Sequence, residues 1–143
     1  MESVGTEAGA TDEAIEAHVT LLVLDDRLAV ARMDPGAPLP AWASQGSLWS
    51  ITRTPDELSV VCAASAVPDG VQAERGWRCF RVAGPLDFSL TGVLASIAGP
   101  LAAVRISIFS VSTFDTDHIL VREQDVSAAI DCLRNAGHEV IAA

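Results

Sequence analysis

The sequence predicts an α+β fold of two related modules, the N-terminal one shortened. Three observations carry this reading. Short apolar runs of period two alternate with two stretches at helical spacing. From Trp77 onward these elements fall in the order βαββαβ. Two segments, "LWSITRTPDELSVV" (48–61) and "IFSVSTFDTDHILV" (108–121), align without a gap.

The elements follow in chain order. "HVTLLVL" and "RLAVARM" are apolar runs joined through Asp25-Asp26, which predicts a hairpin. The prolines and glycines of "DPGAPLPAWASQG" allow only a short helix around Pro40 to Ser44. "SLWSITR" and "LSVVCAA" are strands around the turn "TPDE", and "SAVPDGVQAERG" reads as a connector. "WRCFRV" is a strand ended by "GPLD". Leu90, Val93, Leu94, Ile97, Leu101 and Val104 share one helical face, with Gly99-Pro100 kinking or tightening the helix near its end. "ISIFSVSTF" and "HILVRE" form the next strand pair. Val126, Ala129, Ile130 and Leu133 mark a second amphipathic helix stopped at Gly137, and "HEVIA" is the last strand. The order from Trp77 is the split βαβ of ferredoxin-like folds.

In the repeat, both copies read aliphatic, aromatic, Ser, aliphatic, an acidic polar turn, then aliphatics. This predicts two superposable hairpins in related modules. The predicted organisation is a flexible acidic tail at 1–17, a reduced module at 18–67, a linker at 68–75 and a complete module at 76–143.

Composition narrows the function. The 143 residues carry a net charge of −10 and no clustered basic groups, so a nucleic-acid surface is not predicted. No apolar run approaches the roughly 20 residues of a membrane span. The acidic start "MESVGTEAGATDEAIEA" has no apolar core of a secretory signal. Cys62, Cys79 and Cys132 lack Cys-x-x-Cys spacing and read as small apolar residues of a reducing cytoplasm. The chain contains no Lys and no Tyr, which removes a Schiff-base lysine, a Walker A motif and a tyrosyl acid or base. With no nucleophile motif and no dinucleotide fingerprint, the sequence predicts neither an enzyme nor a bound cofactor.

The stretch from "ERGWRCFRV" to "STFDTDHILV" resembles the ACT-domain family, and "SLWSITRTPDELSVVC" extends the likeness into the first half. More narrowly, it is similar to small bacterial tandem-ACT proteins related to the arginine sensors of the mTOR pathway. The most specific pieces are "GPLDFSLTG" and "STFDTDHILV". The resemblance implies two ACT modules with side-by-side sheets and regulation by a small molecule, usually an amino acid. In the eukaryotic relatives the loop before the first helix and the acid of the "STF…DH" turn grip the ligand. Those positions correspond here to Asp87–Thr91 and Asp117. The chain departs at Leu90, where those sensors carry an acidic residue, so arginine does not carry over as the ligand.

The side chains at these positions suit a zwitterion. Asp87 or Ser89 can cap the helix, whose free N–H groups suit a carboxylate. Asp117 can accept from an α-ammonium, Thr91 and Thr113 offer neutral hydrogen bonds, and Phe88 and Phe114 can enclose an aliphatic stem. The candidate ligand-binding residues are therefore Asp87, Phe88, Ser89, Leu90, Thr91, Thr113, Phe114 and Asp117. Plainer readings stand beside this one. Asp87 and Ser89 can be ordinary caps, Asp115 and Asp117 turn formers, and His118 a satisfied or exposed strand residue. As a metal pair, Asp115 and Asp117 lack a third oxygen donor close in sequence. The partners this reading implies are an amino acid, an unidentified regulated protein reached in trans, and a second copy of the chain through open sheet edges. The alternative is an interaction module without a ligand.

Overall fold

In the computed structural model, residues 17–86 and 92–142 are described. The acidic tail therefore lies, except for residue 17, outside the described residues, as does the segment Asp87–Thr91. The chain forms two compact units. One is the continuous segment Asp25–Cys79, and the other joins the residues before Asp25 to those from Phe80 onward. The fold is α+β of the ferredoxin type, as the element order predicts.

The 25–79 unit contains β2 (Leu28–Met33), β3 (Ser50–Arg53), β4 (Leu58–Ala63) and the first half of β5 (Gln72–Val82). The pairs β3–β4, β4–β2 and β2–β5 are all antiparallel, which is the strand order of a split βαβ sheet. Where that topology places helices, this unit has only single 3-10 turns, at Ala41–Ser44 and Ala64–Ala66. The prolines of 34–40 supply no N–H donors, so a longer helix cannot form there. Ala29, Ala31, Ala43, Leu58, Val60, Cys62 and Val67 form its core. The segment read as a connector in fact enters β5 at Gln72, because Ala73 pairs with Ala31 and packs on this core.

The other unit orders its strands β6-β7-β5-β1-β8. Here β1 is Thr20–Val23, β6 Ile108–Ser112, β7 Asp117–Arg122 and β8 Glu139–Ala142. The predicted hairpin between the first two apolar runs does not form. Instead β1 runs antiparallel to β5 (Leu21 opposite Val82, Val23 opposite Phe80) and parallel to β8 (Leu21 opposite Val140). The reason is burial. Leu21 and Val23 complete a core with Phe80, Val82, Ile119, Val121 and Val140, a larger apolar partner than a hairpin mate could offer.

Two helices cover one face of this sheet. The first, α1 (Val93–Ala103), buries Val93, Ser96, Ile97 and Leu101. Leu94 and Val104, read from the spacing as part of the same face, are instead exposed, at 37% and 54%. Gly92 is the N-cap, with φ 81°, while Asp87 and Ser89, the expected caps, lie outside the described residues. Pro100 sits inside the helix, which runs on to Ala103. The second helix, α2 (Val126–Asn135), buries Ala129 and Leu133.

Candidate functional site

The two turns singled out by the repeat close in the same way. Thr113 N–H donates to the Thr116 carbonyl at 2.8 Å, and the Thr113 hydroxyl accepts from Thr116 N–H at 3.3 Å. In the first unit Thr54 N–H donates to the Glu57 carbonyl at 2.9 Å, and the Thr54 hydroxyl accepts from Glu57 N–H at 3.2 Å. A threonine hydroxyl thus braces each four-residue loop from within. The equivalence pairs Thr54 with Thr113 and Leu58 with Asp117. The ungapped sequence match, which set Leu58 against His118, is one residue out of register. A 3-10 turn follows each hairpin, at Ala64–Ala66 and Glu123–Asp125.

The β6–β7 turn and the loop after β5 lie at the same end of one sheet. Periodicity along the sequence does not by itself require this meeting. In a split βαβ unit, however, the two strands flanking the crossover helix run parallel, so both end on one side. Leu86 N–H donates to the Asp115 carbonyl at 2.7 Å, and the Thr116 hydroxyl donates to the Val82 carbonyl at 2.7 Å. Gly84 makes this approach possible. A Cβ there would lie 3.1 Å from Leu86 N and 3.3 Å from both the Asp115 carbonyl oxygen and the Thr116 Cβ.

A cleft of about 370 Å³ opens between these elements. It is lined by Leu86, Gly92, Val93 and Leu94 on one side and Ser112–Asp117 on the other. Thr113, Phe114 and Asp117, three of the candidate ligand residues, are among those lining it. Asp87, Phe88, Ser89, Leu90 and Thr91 fall outside the described residues, while their flanks Leu86 and Gly92 border the cleft. Phe114 is 79% exposed. Asp117 is half-buried and faces Ser112 across the strand pair, where the Ser112 hydroxyl donates to Asp117 Oδ1 at 2.7 Å. One carboxylate oxygen is thereby fixed by the protein and the other is left to accept. The start of α1 carries the positive end of the helix dipole, and its N-cap, Gly92, has no side chain to bond the first N–H groups. An anion-favouring helix end and a fixed carboxylate thus share one ligand-sized cleft.

The sequence reading missed Ser112, Gly92 and Leu94. Ser112 was legible in principle, because a four-residue loop closed by Thr113 and Thr116 sets residue 112 opposite 117. The slip in the repeat hid it. Leu94 was assigned to the core by its spacing alone.

His118 alternates with Asp117 along β7 and so points to the opposite face. Burial holds its imidazole below the ordinary value of 6.5, against a hydrogen bond with the Val111 backbone that favours the charged ring; a nearby Arg81 acts with burial, and Asp117 opposes it. Its buried Nδ1 has no hydrogen-bond partner among the described residues. Burial also pushes the thiols of Cys62 and Cys132 up, so neither is primed as a thiolate. No cluster of three metal-ligating side chains occurs among the described residues. No described helix is long and apolar enough to cross a membrane.

Strand order, helix placement and the cleft at one sheet end define a ferredoxin-like domain with room for a small molecule. The ACT-domain family model matches residues 72–135, and a second model, of an N-terminal domain, matches 26–70. The chain belongs to the ACT-domain family. Protein Atu0741 of Agrobacterium tumefaciens is 42% identical over 89% of this chain and 95% of its own, with a TM-score of 0.85. The cytosolic arginine sensor for mTORC1 subunit 1 of Rattus norvegicus is 51% identical over 59 residues. That match covers 41% of this chain and only 18% of the sensor. The regulatory subunit of aspartate kinase from Thermus thermophilus, in its ligand-free form, shares the fold at a TM-score of 0.53 and 10% identity.

Proposed function

We propose that the chain is a regulatory protein that binds a free amino acid and performs no catalysis. The observation that carries this reading is the cleft between Gly92–Leu94 and Ser112–Asp117, which the start of α1, with glycine as its N-cap, shares with a carboxylate held by Ser112. An α-carboxylate suits the helix start, and an α-ammonium suits Asp117. The candidates Asp87, Phe88, Ser89, Leu90 and Thr91, which lie outside the described residues, belong to the same proposal. The names of the relatives support the ligand class, since one is an arginine sensor and another a regulatory subunit. A cytoplasmic location, which the sensor's name states for that protein, belongs to the same proposal. So do a regulated partner reached in trans and a homodimer through the open strand edges.

The test is a thermal-shift panel of the amino acids, followed by calorimetric titration of the one that raises the melting temperature most. A ligand that binds only the native state stabilises it by about 2.7 kcal/mol at a hundred times Kd. Asp117→Asn keeps size and most turn bonding but removes the charge, and should weaken binding roughly ten- to a hundredfold. A panel with no shift favours the interaction module, and equal affinity in Asp117→Asn removes that residue from the site.

A further inference from the structure

The cleft at Asp117 offers polar groups to the two ends of an amino acid, but much of its remaining lining is apolar. Leu86 and Leu94 line it on the helix side and Phe114 on the hairpin side. Leu86 packs in part against the core, whereas Leu94 and Phe114 are exposed. The fold needs neither of them for its core. Leu94 lies on the first turn of α1 beside buried Val93, and Phe114 lies in a loop that Thr113 and Thr116 close by themselves. Two large apolar side chains thus meet water on opposite walls of one cleft, an exposure that a ligand's apolar surface would relieve.

The polar lining sets the other half of the preference. All three hydroxyls of the hairpin wall donate to the protein itself, Ser112 to Asp117 Oδ1, Thr113 to the Thr116 carbonyl and Thr116 to the Val82 carbonyl. None of the described lining residues is basic, and the sequence from Asp87 to Thr91 contains no basic residue. A side-chain carboxylate or amide oxygen would therefore give up water with no side-chain donor in the described lining to replace it. With Asp117 taken by the α-ammonium, a cationic side chain finds only Asp115 there. That carboxylate is exposed, and an ion pair in water contributes little. Apolar burial contributes more, since each methylene that leaves water strengthens binding about fourfold.

Given a free amino acid as the ligand, a reading on which this one rests, we infer that the cleft selects an aliphatic side chain, held between Leu94 and Phe114. Asp117 and the start of α1 meet the α-groups that all amino acids share. Leu94, Leu86 and Phe114 meet the part that differs. Leu94 is the residue that determines specificity, because a helix fixes its place on the wall, whereas Phe114 stands on a loop.

The experiment is calorimetric titration of the full chain with glycine, leucine, glutamate and arginine. Glycine presents the α-groups alone, so the ratio of leucine to glycine affinity reads the side-chain contact by itself. Leucine should bind about tenfold or more tighter than glycine, and ahead of glutamate and arginine. Leu94→Ser should lower the leucine-to-glycine ratio about fivefold. Leu94→Arg, which puts a cation on the same wall, should bring glutamate ahead of leucine. Thermal midpoints close to wild type show that both variants fold. Asp117→Asn should weaken glycine and leucine alike and leave their ratio in place. Three results overturn the preference while the amino-acid site stands: a ratio near one with both ligands bound, glutamate or arginine ahead of leucine in the wild type, or an unchanged ratio in Leu94→Ser. No binding of any of these amino acids removes the site and the preference together.

Discussion

His138 holds two backbone groups at once. Its ring is buried, its Nδ1 accepts from Val19 N–H at 3.2 Å, and its Nε2 lies 3.0 Å from the Ser96 carbonyl. The first bond fixes the tautomer, so Nε2 carries the hydrogen and donates. Ser96 needs that donor because the residue four positions on is Pro100, which has no N–H to return. A proline inside a helix is thus satisfied by a histidine from another element. His138→Ala should destabilise the protein by about 2–4 kcal/mol, as two backbone groups lose their partner. In a Pro100→Ala background the helix can satisfy Ser96 itself, and the loss should shrink by about 1–2 kcal/mol. A double-mutant cycle by urea unfolding measures the coupling, and strict additivity would show that the two residues act apart. His118 behaves differently. Its folded value lies below 6.5, so on acidification the unfolded chain takes the proton first. Its contribution to stability is complete above the unfolded value and is lost as pH falls through the folded one. Unfolding midpoints measured on both sides of pH 6.5 should fall on the acid side, and less steeply in His118→Asn.

Both helices end in the same motif. In α2, Gly137 has φ 98°, its N–H donates to the Arg134 carbonyl, and His138 N–H donates to the Leu133 carbonyl. In α1, the equivalent residue is Arg105 at φ 64°, with N–H bonds from Arg105 to Ala102 and from Ile106 to Leu101. This is the paired closure that glycine favours, and a residue with a Cβ there is strained. Arg105→Gly should raise stability by about 0.5–1 kcal/mol, read as a higher urea midpoint at unchanged slope. A decrease would mean that the arginine side chain contributes more than the strain removes. The same contrast shows what sequence could reveal. The stop at Gly137 was legible because glycine announces it, whereas Arg105 carries no such signal. The β3–β4 and β6–β7 hairpins and the two helices were legible from local periodicity. The partner of β1 was not, since its mates lie at 80–82 and 139–142 and pairing over such separations leaves no local mark. At the candidate site, Thr113, Phe114 and Asp117, chosen for their complementarity to a zwitterion and by the family resemblance, line the cleft. Ser112 was lost to a register slip, which a period-two pattern conceals well.

At the scale of the whole molecule, the 25–79 unit is an uninterrupted stretch of chain, and the other unit is made from what flanks it. Removing residues 1–24 would take the strand between β5 and β8 out of that second unit, together with buried Leu21 and Val23. Hydrogen exchange should then show lost amide protection in β6–β8 and both helices, and retained protection in β2–β4. Equal loss throughout would mean that the two units unfold as one. The position of β1 also has a consequence in time. Synthesis proceeds from the N-terminus at about 5–20 residues per second. Thr20–Val23 is thus made well before its parallel mate, Glu139–Ala142. Throughout that interval the nascent chain carries the apolar β1 with one flank open, while the 25–79 segment already holds every strand partner it needs. Arrest-peptide measurements along the chain should therefore register a first pulling event once residue 79 has cleared the ribosome, and a second only after Glu139–Ala142 emerges.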